Sequence, residues 1–399
     1  MSDNRRVAKV WLAELFIIEI QTPSNFIMNA QRRYQSRNAR VQSPSVTGSP
    51  RATGFTLVEL LVVIVIIGIL MAIAVPAIFS AVSTAKSTAM KMELNSLEMA
   101  VQKYQEKYGD YPPDFADWAV VERHYRKIFP RISGDLILLK AMLTDTNGYN
   151  PTIIDRGEVL PWVLGGYSSD PLRPFTGAGG PLELVGMTGQ PGVPVYQINT
   201  SKENSLFDFA PGQLDLTIPV ENSPINISNY HVSSDGDLFL SYAASTDTET
   251  PFVYFDSRTY EYRDPSATSK GFNGFWRPAS GPVRPYISDI VQTDQTWQFM
   301  KPDSFQIIAP GIDDNFGWLS KQNGTTGPND NDTSSAVYFQ YPTGKAGQVL
   351  IDNNGVRTRV LRSDVSRYQE PVSANQIDNF QQDNLTNFAD GKLIDELKE

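Results

Sequence analysis

The chain has 399 residues, enough for one large domain or two ordinary ones, with 44 acidic against 34 basic residues and a net charge of −10. That balance argues against the basic face that nucleic acid demands. There is no cysteine, which excludes disulfides, thiolate metal sites and cysteine nucleophiles. The two histidines, His124 and His231, are too few and too far apart for a histidine-rich zinc site.

Charge is unevenly placed. Up to Gly54 the basic residues are Arg5, Arg6, Lys9, Arg32, Arg33, Arg37, Arg40 and Arg51, against Asp3, Glu14 and Glu19. Residues 1–54 therefore read as a basic leader of about +5, and the remainder as an acidic body near −15. From Asn29 to Thr53 the leader is polar and too poor in large apolar side chains to offset the entropy of ordering. Trp11 to Ile20 is more apolar and suits a short amphipathic helix, and Met28 offers an alternative start.

Next comes Gly54-Phe55-Thr56-Leu57-Val58-Glu59, followed by the uncharged run Leu60 to Val75. As a helix that run spans roughly 24 Å. With Phe55–Leu57 and Ala77–Phe79 added it is long enough for the ~30 Å hydrocarbon core of a bilayer, so a membrane segment is predicted over 55–79. The basic flank before it and the acidic body after it place the leader in the cytoplasm and the body outside. Glu59 is the oddity. A carboxylate at the centre of a bilayer costs roughly 2.5–3.5 kcal/mol on insertion scales, so a chain that keeps one there needs a partner for it.

Leu94, Leu97, Val101, Tyr104 and Tyr108 then follow a 3-4-3-4 rhythm, the stripe of an amphipathic helix. One rod is predicted over 55–109, with a kink or local melting at Pro76 and a stop at Gly109, Asp110, Pro112 and Pro113. Asp117 to Leu143 reads as two helices divided near Pro130. Arg156 to Pro194, rich in Gly and Pro, reads as an irregular loop. Strand-like runs follow at Val195–Ile198, Leu214–Val220, Leu238–Tyr242, Phe252–Phe255, Phe305–Ile308 and Val337–Tyr341. The expected class is α+β: a long N-terminal helix packed on a C-terminal antiparallel β-sheet domain, 110–399, with a large loop-rich insertion.

Gly54, then Phe55 to Leu61, the apolar run, Gly68 and Pro76 resemble the N-terminus of type IV pilins and type II secretion pseudopilins. The resemblance covers about Arg51 to Tyr108. It implies a prepilin peptidase that cuts between Gly54 and Phe55 and methylates the new amine. It also implies that Glu59 pairs with the Phe55 amine of a neighbouring subunit. The physics agrees: a free α-amine, with an ordinary pKa of about 7.7–8.0, is largely cationic at neutral pH. Such a pair forms only at the right stagger of subunits, and register is the better-attested use of buried ion pairs.

A weaker resemblance lies towards the C-terminus. Phe305 to Gly317 and Asp383 to Phe388 are similar to a segment of the major pseudopilin in which a strand runs into a calcium-binding loop. That resemblance implies calcium as a cofactor, with Asp313, Asp314, Asp330, Asp332 and Asp383 supplying some of the six to eight oxygens the ion takes. A solvated, turn-forming cluster is the other reading of these residues. Major pseudopilins are much shorter, and about two hundred residues here lie between the helix and this segment.

Elsewhere, Ser234-Asp235-Gly236-Asp237 reads as a tight turn and Asp256 as a turn former at a strand end. No nucleophile elbow, phosphate loop, His-Glu-x-x-His helix or dinucleotide fingerprint occurs. His124 reads as a surface or packing residue. The expected function is a structural, non-enzymatic subunit of a type II secretion or related filament system, assembled with other pilin or pseudopilin subunits by an ATPase and an inner-membrane platform protein. A type IV pilin for adhesion or motility is the alternative, as is a pilin-anchored extracytoplasmic binding protein or enzyme.

Overall fold

A computed structural model describes residues 56–146, 148–150, 153–188, 193–217, 231–234, 236–260, 283–290, 297–316, 335–351, 357–362, 367–368, 370–373, 376–378 and 380–398. The chain divides into two compact units, Met1–Val65 and Ile66–Glu399. What is described of the first is the opening of helix α1, Leu57–Tyr108, whose later turns belong to the second.

From Thr56 to Val82 every residue is exposed, and Glu59 is the sole charge. A helix apolar on all sides suits lipid or the interior of an assembly rather than water. α1 is the one helix among the described residues long and apolar enough to cross a membrane. Further along, Met90, Leu94, Leu97, Ala100, Val101 and Tyr104 form a buried stripe, as the spacing predicts. The melting expected at Pro76 does not occur, and the helix is continuous through it. A proline removes one N–H, so only the Ala72 carbonyl loses its donor while the flanking turns keep theirs. Gly109 ends the helix in the left-handed region (φ +73°), its N–H donating to the Gln105 carbonyl at 2.7 Å.

Two helices follow, divided at Pro130 as predicted. α2 is Trp118–Ile128, capped by Asp117, which accepts from the Ala119 N–H; α3 is Gly134–Met142. The expectation of an irregular loop over Arg156–Pro194 holds only in part. A short helix, α4, Val159–Leu164, buries all six of its residues, and Leu182–Thr188 pairs with Val193–Ile198 as a hairpin. Burial rather than propensity fixes α4, which a Gly/Pro-rich neighbourhood conceals.

The strands form several small antiparallel sheets of two or three strands rather than one. Leu238–Tyr242, predicted as a strand, is irregular apart from a single bridge between Tyr242 and Leu214. Side chains take the backbone donors that a strand would offer: the Phe239 N–H donates to Asp237 and the Ser241 N–H to Asp215, both at 2.7 Å. Of the predicted turn at Ser234–Asp237, Asp235 lies outside the described residues; around it the Gly236 N–H donates to the Ser233 carbonyl at 3.1 Å, with Gly236 at φ +95°. Of Leu214–Val220, Leu216–Thr217 is a strand and residues 218–220 lie outside the described residues.

The central sheet has Phe305–Ala309 between Val253–Asp256 and Leu385–Thr386. Both faces are buried. Phe305, Ile307, Ala309 and Tyr254 join the stripe of α1 and helices α2 to α4 in one apolar core. Ile308, Val253 and Phe255 enter a second core with Tyr286, Val337, Phe339 and Leu393. Alternation of side chains along each strand sends neighbours to opposite cores. Gln306, fully buried on the second face, accepts from the Tyr286 N–H (2.8 Å) and donates to the Tyr286 and Met300 carbonyls (3.0 and 2.8 Å).

Charged groups tie the end of α1 to this sheet. Asp114 accepts from Arg156 at 2.9 Å, both being buried. Arg258 bridges Asp256 (2.7 Å) and Asp110 (3.1 Å) and donates to the Tyr111 carbonyl. His124, which is buried, links Asp110 (3.1 Å) to the Tyr104 hydroxyl (2.7 Å). Asp256 does cap the turn after its strand, accepting from the Arg258 N–H.

Candidate assembly site

The start of α1 is held by a reciprocal pair. The Thr56 N–H and hydroxyl both donate to Glu59 Oε2 (2.9 and 2.8 Å), and the Glu59 N–H donates back to the Thr56 hydroxyl at 3.2 Å. Helix N-termini leave backbone N–H groups without partners, and a Thr-x-x-Glu capping box satisfies two of them. Thr56-Leu57-Val58-Glu59 carries that pattern, so Glu59 has a local capping role besides the charge pairing expected of it. The carboxylate is thus oriented towards the chain end that a cut after Gly54 would create. Gly54 and Phe55 themselves lie outside the described residues.

Gly68 and Pro76 both lie within α1. Among the described residues nothing lies within 4 Å of a Cβ built on Gly68, so no contact there demands a glycine. In a helix interior glycine is roughly 1 kcal/mol worse than alanine.

The expected calcium residues are only partly brought together. Asp313 and Asp383 line one groove. Asp314 is engaged elsewhere, its carboxylate accepting from the Thr250 and Glu249 N–H groups at 2.9 and 3.1 Å. Asp330 and Asp332 lie outside the described residues. Asp383 Oδ2 accepts from the Ile312 N–H at 2.9 Å, whereas its buried Oδ1 has no hydrogen-bond partner among the described residues. That oxygen suits a ligand, but among the described residues no three acidic or histidine side chains gather closely enough to hold a metal ion. The described part of the set therefore does not by itself make a calcium site.

A comparison with protein families matches residues 49–75 to the prokaryotic N-terminal methylation motif. That span holds Gly54, Phe55, Glu59 and Gly68, and ends one residue before Pro76. No curated protein and no solved structure matches the chain. The motif implies processing by prepilin peptidase and assembly with other pilins. With this motif opening one long apolar helix, the chain is similar to the type IV pilins and pseudopilins in its N-terminal region.

Proposed function

We propose that the protein is a pseudopilin-like structural subunit of a type II secretion or related type IV filament system, and that it works by assembly rather than catalysis. The observation that carries this reading is the methylation motif at residues 49–75, with its glutamate in the first turn of an uncovered apolar helix. The leader is cut between Gly54 and Phe55, and the helix anchors the chain in the inner membrane with residues 110–399 on the periplasmic side. A cytoplasmic ATPase and a platform protein then draw the subunit into a helical filament. Glu59 sets its register there by pairing with the methylated Phe55 amine of a neighbour, as only the matching stagger brings the two charges together. Calcium at Asp313 and Asp383 would be an accessory of this subunit, not a requirement of its mechanism. Mass spectrometry of the mature N-terminus is the test. An N-methylated Phe55 is expected, and an intact leader on protein purified from the native membrane would overturn the reading.

A further inference from the structure

The end of α1 carries a buried polar row that the assembly site does not use. Tyr104, one turn before the helix stops, and His124, in α2, are both fully buried. Their rings stack with centroids 5.7 Å apart, and the Tyr104 hydroxyl lies 2.7 Å from His124 Nε2. On its other side the imidazole meets Asp110, with Nδ1 3.1 Å from Oδ2. One side chain of α2 thus holds both the last turn of α1 and the residues that follow it. Two cations close around the same turn. Lys127 donates to the Gly109 carbonyl at 2.8 Å, and Arg258 donates to Asp110 at 3.1 Å and to the Tyr111 carbonyl at 2.8 Å.

The protons in this row have one arrangement. Burial opposes the charge of Asp110, but the His124 contact, Arg258 and Lys127 outweigh it and keep the carboxylate ionised. An ionised carboxylate only accepts, so the imidazole proton sits on Nδ1. Nε2 is then a lone pair, and the Tyr104 hydroxyl is its donor.

A second proton on His124 breaks this arrangement. Both ring nitrogens then donate, and Tyr104 has to turn its own proton elsewhere. The next hydroxyl beside it is Tyr167. Tyr167 bonds Tyr125 at 3.0 Å, and the Tyr125 oxygen accepts from the Trp162 indole N–H at 2.9 Å. An indole only donates. Reversing the row would leave the Tyr125 hydroxyl proton facing that N–H, with all four side chains buried. A stranded donor in a dry core is costly. The charges around the ring divide. Asp110, in the turn after α1, favours imidazolium, while Arg258, after the strand Val253–Asp256, and Lys127, on α2, oppose it.

We propose that His124 is an acid-released latch between α1 and α2: neutral, it bonds Tyr104 and Asp110 together, and its protonation is accommodated by parting α2 from the end of α1. An imidazole freed from this packing takes its proton near the ordinary value of about 6.5. Burial holds the closed site below that value. Opening is therefore favoured as pH falls below about 6.5, by up to about tenfold per pH unit, until the closed site itself protonates. The nearby Asp256 works in the other direction, since acid favours its neutral form, so it cannot imitate the effect. The latch stands on the packing of α2 and is independent of what α1 assembles with.

The test uses the full chain in lipid nanodiscs. Nitrogen-15 spectra of labelled histidine need resolve only two residues, and His231→Gln assigns them. At pH 8 His124 should carry its proton on Nδ1 and none on Nε2. Amide hydrogen exchange, read by mass spectrometry and corrected for the intrinsic effect of pH, then compares pH 8 with pH 5. Peptides over 104–128 should lose about tenfold in protection at pH 5, while Phe305–Ala309 keeps its own. His124→Gln offers a donor and an acceptor but takes no proton, so its protection should be equal at the two pH values. His231→Gln should retain the acid response. A proton on Nε2 at pH 8, equal protection of 104–128 in the parent at both pH values, or an acid response that survives His124→Gln would each overturn the proposal. The first two are read on the unaltered chain and decide the matter even where the glutamine variant fails to fold.

Discussion

Asp256 is a buried carboxyl with too many like neighbours. Burial and then the nearby Asp114 push its pKa up to about 7, against the pull of Arg258. For Asp110 burial acts in the same direction, but the His124 hydrogen bond and the charge of Arg258 outweigh it and bring the carboxyl down to about 2. Burial lowers the pKa of His124 by more than Asp110 raises it, so the imidazole is held neutral. These shifts have opposite consequences. The raised carboxyl of Asp256 contributes stability that is fully present below its unfolded pKa near 4 and is lost as pH rises through about 7. The depressed histidine contributes stability that is present above its unfolded pKa of about 6.5 and is lost as pH falls. Asp256→Asn removes one titration and keeps a carbonyl oxygen for the Arg258 N–H. Relative to the parent, the variant should gain on the order of 2 kcal/mol between pH 5 and pH 8. Urea midpoints at the two pH values check this, and a parallel shift of both proteins would refute it.

At the scale of elements, α1 is fastened to its domain by side chains that flank the buried stripe. Lys91 donates to the carbonyls of Thr386 (2.7 Å) and Ala389 (2.6 Å), and burial lowers its pKa. Glu93 accepts from the Tyr242 hydroxyl, and Glu98 from Lys301 and Asn387. Lys91→Met keeps most of the packing but strips both carbonyls of their donor. It should cost about 1–3 kcal/mol by denaturant titration. Lys86→Ala, which breaks an exposed pair with Asp247, should cost nothing measurable. The stripe of α1 and the break at Pro130 were legible in the sequence because a 3-4 repeat and a proline are local signals. α4 was not, because its six residues are helical by virtue of what covers them. Nor was Leu238–Tyr242, where Asp215 and Asp237 satisfy the backbone that a sheet would otherwise pair. At the candidate site the glutamate and cut-site pattern could be read directly. Away from it, the approach of Asp383 to the turns of α1 around Ser83 and Ser87 could not, since about three hundred residues of sequence separate them.

For the whole molecule the question is what Glu59 does once the subunit leaves lipid. Its carboxylate already serves Thr56, so capping and intersubunit pairing draw on the same group. The two roles separate by mutation. Thr56→Ala removes the hydroxyl half of the cap and keeps the carboxylate, whereas Glu59→Ala removes both functions. Membrane insertion should survive in each, and both should exchange backbone hydrogens faster at the start of α1. Only Glu59→Ala should block incorporation into filaments, scored by co-assembly with unmodified subunits. Equal assembly defects in the two variants would reduce Glu59 to a helix cap.

A sheet that is apolar on both faces lacks the usual guard against misalignment. Where one face meets water, a slip of a single residue drives polar side chains inward and is rejected on hydrophobicity alone. Here a slip of Phe305–Ala309 would merely trade one set of apolar side chains for another, with a single exception. Gln306 would leave the Tyr286 and Met300 groups that satisfy it and carry its amide into the core of α1, where Ile307 and Phe305 now sit. That one glutamine acts as the key that tells the strand which way is in, and with it decides which face of the sheet the anchor helix meets.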